Sequence, residues 1–225
     1  MHLDVEDFLD FYATPLGRVV RRSLAREFRL RIGAVRGATV MGLGFATPYL
    51  GGWRAEARRV GALMPSGQGA VVWPAHGLVR SVLVEETQLP LPDNSVDQLI
   101  AIHSLEAATR PGSLLREIWR VLAPEGSLVL VVPNRRGVWA RFDHTPFGHG
   151  RPYSKAQLDQ LLTDALLTPS DWGTALHMPP FKARLASHRL APAWERIGGM
   201  LSPAFGGVIV VKARKELMAP AGKVV

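Results

Sequence analysis

Leu114–Asn134 reads LLREIWRVLAPEGSLVLVVPN, and the change of period inside it decides the fold. Leu114, Leu115, Ile118, Val121 and Leu122 recur at helical spacing, so Gly112–Leu122 forms an amphipathic helix with one buried side. Pro124 and Gly126 stop that helix. The next residues, Ser127–Val132 (SLVLVV), offer no polar alternation, which marks a strand covered on both faces. Pro133 and Asn134 close it. A helix feeding a doubly buried strand is half of a parallel crossover unit.

The same unit repeats outward in both directions. Ala38–Leu43 (ATVMGL), Val60–Met64, Val79–Val84 (VRSVLV) and Val96–Ile102 (VDQLIAI) are short apolar strand candidates, and Gly207–Ala213 (GVIVVKA) is a last one. Between them, Thr47 opens a helix whose stripe is Tyr49, Leu50, Trp53 and Ala57, weakened by Gly51 and Gly52. Ser154 is a good N-cap for a helix through Leu167, and residues 181–201 read as helical around Pro192 and Gly198. Two helices precede the first strand, Val5–Tyr12 and Pro15–Ile32, the second with Thr14 as N-cap. The predicted fold is therefore a Rossmann-like, doubly wound, mostly parallel sheet of about seven strands with helices on both faces and an N-terminal helical lid. One domain is expected over 1–225: N-terminal helices at 1–36, the core at 37–216 and a flexible tail at 217–225.

Composition narrows the functional classes. At 47% apolar and 20% charged residues, the chain has an ordinary globular balance. No apolar run approaches the roughly 20 residues of a bilayer span, and Asp4, Glu6, Asp7 and Asp10 stand where a secretory signal needs a basic start. A cytoplasmic, membrane-free protein is expected. The absence of cysteine removes thiolate nucleophiles and thiolate metal sites. The net charge of +8 comes from arginine far more than lysine, and Arg135, Arg136, Arg141 and Arg151 fall in one loop-like stretch suited to an anion or to plain solvation.

In an open parallel sheet the ligand lies outside the carboxyl ends of the strands. The first such tip is Gly42-Leu43-Gly44, whose glycines allow a tight turn and close approach of a ligand to backbone. Taken together, VMGLGFATPYL (Val40–Leu50), LPLPDNSVDQLIAIHSLE (Leu89–Glu106) and the Leu114–Asn134 stretch resemble class I S-adenosylmethionine-dependent methyltransferases, with Asp97 opening strand 4 and Glu125 inside the Pro-Gly turn. The motifs span about half of the chain and do not identify a substrate.

The resemblance implies S-adenosylmethionine as cofactor, converted to S-adenosylhomocysteine, and assigns residues to it. Gly42, Leu43 and Gly44 would touch the methionine and ribose portion. Glu85 would meet the adenine amino group with Glu86 and Thr87 beside the ring, between Leu89 and Leu105. Tyr12, on the lid helix with Phe8 and Phe11, would reach the cofactor carboxylate. His103, beside Ser104 at the strand 4 tip, would lie next to the reactive methyl and is the first candidate base; His144, His149 and Tyr153 are others. Methyl transfer asks mainly for alignment, plus a base when the nucleophile carries a proton.

Three departures from the family pattern stand out. Met41 replaces an acid before the first glycine, Ala46 replaces a third glycine, and Gly61–Gly69 holds no acid for the ribose hydroxyls, leaving Gln68 as a neutral stand-in. The expected activity is methyl transfer to a small molecule, anionic or aromatic, with Trp139, Phe142, Phe147 and Trp172 as candidate pocket walls. The alternative is a methyltransferase-fold protein without catalysis that serves as a binding or regulatory subunit, in a protein complex or a homo-oligomer. Nucleic-acid methylation is disfavoured, because His103-Ser104-Leu105-Glu106 replaces the Asn/Asp-Pro-Pro-aromatic tetrad of base methylases. Asp143, His144 and His149 match no standard metal spacing, so no metal site is predicted.

Overall fold

The computed structural model describes residues 3–180 and 206–216. The helix expected at 181–201 and the tail expected at 217–225 lie outside the described residues. Two helices open the chain, α1 (Val5–Ala13) and α2 (Pro15–Ile32). Asp4 and Asp7 form a reciprocal capping box on α1, and the Thr14 hydroxyl caps α2 by accepting from Gly17 N–H.

The alternating part follows as β1 (Thr39–Gly44), α3 (Thr47–Leu50), β2 (Arg59–Pro65), β3 (Ser81–Val84), β4 (Val96–Ile102), α4 (Pro111–Val121), β5 (Leu122–Pro133), α5 (Lys155–Asp164), β6 (Leu167–Ala175) and β7 (Val208–Lys215). The strands form one seven-stranded sheet in the order β3-β2-β1-β4-β5-β7-β6. β3, β2, β1, β4 and β5 run parallel, while β7 is antiparallel to both β5 and β6. The order reverses at β1, so the crevice outside β1 and β4 is the switch point where this architecture binds ligands.

Strand residues alternate between two cores. Val40, Ile100, Ile102, Val129 and Val131 pack with α1, α2 and α3, whereas Leu43, Leu99, Ala101, Leu128 and Leu130 pack with α4 and α5. Burial on both faces explains why these strands read as unbroken apolar runs.

Two expectations needed correction. The helix after β1 lasts one turn before a short 3-10 segment, Gly51–Trp53, rather than reaching Ala57; two adjacent glycines cannot carry an α-helix onward cheaply. β6 was not anticipated at all. LTPSDWGTA has a proline, a glycine and no clean period, and becomes a strand only by pairing along β7.

The loop before β4 is held from α4. Arg120 donates to Glu117, Asp93 and the carbonyls of Leu89 and Leu91, while Glu117 accepts from Leu89 N–H at 2.9 Å. Asp97 accepts from Thr39 N–H at 2.7 Å, tying the start of β4 to β1.

Candidate functional site

The β1 turn is tight because its neighbours demand it. Gly44 has φ +78°, and a Cβ there would lie 2.1 Å from the Ile102 carbonyl oxygen. A Cβ on Gly42 would meet Ala46 Cβ at 2.6 Å, so that glycine lets α3 close on the strand. Gly42, Leu43 and Gly44 are all buried. Helix α1 packs on the residue that follows them: Phe8 stacks on Phe45 with ring centroids 5.1 Å apart, and Tyr12 stacks on the same ring at 5.6 Å.

At the tip of β4, His103 takes a left-handed backbone (φ 54°) and is buried with its ring between Phe8 and Phe147, each 4.8 Å away. Both ring nitrogens face partners. Nε2 lies 2.9 Å from the Tyr12 hydroxyl, which itself accepts from Tyr49 at 3.0 Å. Nδ1 lies 3.4 Å from Glu106 Oε1. A polar chain Tyr49–Tyr12–His103–Glu106 thus threads an apolar core. Burial pushes the Tyr12 phenol well above its ordinary value, with the Tyr49 and Glu106 charges acting in the same direction.

The side toward β2 and β3 is open. A cleft of about 370 Å³ is lined by Ser66, Gln68, Glu85, Glu86, Thr87 and Arg110 among others. Ser66, just past β2, donates to Glu85 Oε1 at 2.7 Å, which draws the Glu85 carboxylate toward the strand 2 tip where the acid is missing. Between this cleft and the β1 turn runs a bar: Gln68 donates its amide to the His103 carbonyl oxygen at 2.5 Å, spanning the end of β1 from β2 to β4. That bond uses the Gln68 amide for structure.

The sequence-predicted residues therefore fall into separate groups. Glu85, Glu86 and Thr87 share the open cleft; Tyr12 and His103 are hydrogen-bonded beneath α1, beside the buried Gly42 and Gly44, whereas Leu43 packs on the α4 and α5 side of the sheet. The cleft suits the adenosine half of the expected cofactor, with a carboxylate, a hydroxyl and room for a nucleoside. On the other side, the rings of Phe8 and Tyr12 pack against Phe45, directly after the β1 turn.

The other candidates bond to backbone carbonyls. Tyr153 donates to the Leu105 carbonyl at 3.2 Å, and His144 and His149 pair with the carbonyls of Pro180 and Asp143. No group of His, Asp and Glu that could hold a metal is present among the described residues. Trp139 is buried on the α1 side and donates to the Met178 carbonyl, whereas Trp172 packs on the α5 side beneath Lys155; β6 carries it to the opposite face of the sheet. Ser66 and Glu106 escaped the sequence reading of the site. For Ser66 the available signal was a polar residue directly after an apolar strand; Glu106, four residues past β4, had no such signal.

Residues 34–130, from just after α2 to within β5, match the family described as a methyltransferase domain. The match covers less than half of the chain, and the fold around it is that of S-adenosylmethionine-dependent methyltransferases. The uncharacterized protein YafS of Escherichia coli K12 is 30% identical over 147 residues, 63% of this chain and 58% of YafS. The chain thus aligns with little more than half of that relative. An S-adenosylmethionine-dependent methyltransferase of Thermotoga maritima superposes with TM-score 0.67 at 16% identity, covering 94% of this chain and 96% of that one. A chain from the Haloferax volcanii complex of the Trm112 methyltransferase activator superposes with TM-score 0.64 at 19% identity, covering 93% and 97%. At these identities the likeness is one of fold. No helix among the described residues is long and apolar enough to cross a membrane.

Proposed function

We propose that the chain is a cytoplasmic S-adenosylmethionine-dependent methyltransferase that acts on a small molecule. The observation that carries this reading is the cleft of about 370 Å³ at the β2 and β3 tips, adjoining a buried imidazole and carboxylate at the β4 tip within a methyltransferase domain. Glu85 and Ser66 would hold the nucleoside hydroxyls, with Glu86 and Thr87 beside the base. When bound, the cofactor supplies an electrophilic methyl group on sulfur. The chain's own part is to hold the acceptor beside His103, to exclude water with α1, and to accept a proton at the His103 imidazole where the acceptor carries one.

Titration calorimetry with S-adenosylmethionine and S-adenosylhomocysteine tests this. Saturable heat with both is the expected result. No heat at high micromolar ligand, in the wild type and in Tyr12→Phe alike, overturns it.

The seating of Phe8 and Tyr12 over the β1 turn favours one second reading, a binding or regulatory subunit of the same fold without catalysis. The Haloferax structure supports protein association for this fold. That reading requires the heat signal to be absent while a protein partner is retained.

A further inference from the structure

Glu106 is a buried carboxylate at the β4 tip. Its side chain is 5% exposed, and neither oxygen has a hydrogen-bond partner among the described residues. The nearest counter-group is His103 Nδ1 at 3.4 Å. Leaving a buried carboxylate in this condition costs about 1–3 kcal/mol or more, and a cation or strong donor placed against it removes that cost.

Such a place exists. Glu106 lines a cavity of about 20 Å³ together with Phe8, Gln68, His103, Ala107 and His149. This exceeds the roughly 10–15 Å³ that one water needs, which is also the scale of one ammonium group. Phe8 lines the cavity beside the carboxylate, so an aromatic ring as well as an anion borders it. Although the chain carries a net charge of +8, no Arg or Lys stands among the lining residues. The basic groups there are the imidazoles of His103 and His149, and the Glu106 carboxylate stands nearest His103.

We infer that this cavity is the acceptor subsite and that it selects an amine, with Glu106 as the selecting residue; the reaction assigned to it rests on the methyl-transfer reading above. The amine would enter as an ammonium and give a proton to the His103 imidazole. Its nitrogen lone pair then forms the new bond to the sulfonium methyl carbon as the carbon–sulfur bond breaks, with that bonding pair staying on sulfur. Positive charge therefore moves from sulfur to nitrogen, and a carboxylate nearest the nitrogen favours that displacement. A hydroxyl acceptor would have to become an anion beside Glu106, which the same carboxylate opposes.

The test uses the full chain and three isosteric probes, benzylamine, benzyl alcohol and benzoate, titrated by amide chemical-shift perturbation with and without S-adenosylhomocysteine. Benzylamine is expected to shift the amides of Gln68, Ala107 and Gly150 saturably, benzoate to leave them unmoved, and Glu106→Gln to weaken benzylamine about tenfold or more. Equal perturbation by benzoate, or undiminished benzylamine affinity in folded Glu106→Gln, overturns the proposal and leaves Glu106 as a partner of His103 only. If Glu106→Gln does not fold, the comparison of the three probes on the wild type decides. Binding of S-adenosylhomocysteine without benzylamine defeats the amine site alone. Binding of benzylamine without S-adenosylhomocysteine defeats the methyl-transfer reading and keeps the site.

Discussion

The hydroxyl of Tyr12 lies 2.9 Å from Nε2 of His103, joining the lid helix to the tip of β4 across 91 residues of sequence. This contact ties α1 to the β4 tip and engages one ring nitrogen of His103. Tyr12→Phe keeps the ring packing on Phe45 but leaves Tyr49 and His103 short of a partner. We expect a stability loss of about 1–3 kcal/mol in urea denaturation. Because the closed arrangement is weakened, apparent affinity for S-adenosylhomocysteine should rise. Unchanged or weaker affinity by calorimetry would mean that α1 does not compete with the ligand.

Gly44→Ala addresses the β1 turn. The new methyl would lie 2.1 Å from the Ile102 carbonyl on a backbone at φ +78°, so the strain falls on the β1–β4 junction itself. A loss of about 2–5 kcal/mol is expected by thermal or chemical unfolding. The effect on ligand binding follows from the damaged fold and is not separable from it at this position.

Glu85→Gln is the cleaner probe of the cleft. Glu85 is exposed and bonds to Ser66 across neighbouring strands, so stability should stay within about 0.5 kcal/mol of wild type. Affinity for S-adenosylhomocysteine should fall about tenfold, the scale of a lost charged hydrogen bond. Calorimetry that shows equal affinity would place the nucleoside elsewhere.

Acid stability should report on Glu117. Hydrogen bonds from Arg120 hold its carboxyl below the ordinary 4.5, with Leu89 N–H acting in the same direction against the opposing effect of burial. The folded state therefore takes up this proton later than the unfolded chain does. Its contribution is present above the ordinary value and is lost as pH falls through the folded one. Glu117→Gln should flatten the decline of denaturation midpoint below pH 4.5, and a parallel decline in both proteins would remove the assignment.

The elements that were legible in the sequence are those whose environment is set locally. β4 and β5 announce themselves because both faces are buried, and α4 because one side is. β6 was not legible, since Pro169, Asp171 and Gly173 give it no period and its strand character comes from pairing with β7. Glu85 and His103 were reachable as residues after strand ends. Glu106 was not, because nothing in HSLE reveals that both carboxylate oxygens end up without a donor among the described residues.

By itself the sequence determined the order of elements, the doubly covered sheet and the crevice at the ends of β1 and β4, since hydrophobic period and turn residues encode burial along the chain. Only the tertiary structure decided what fills that crevice. The rings of Phe8 and Tyr12 over the turn, the Gln68 bond across β1 and the unsatisfied Glu106 all join residues distant in sequence. Such contacts depend on where the strand order brings side chains together, and no local pattern carries that information.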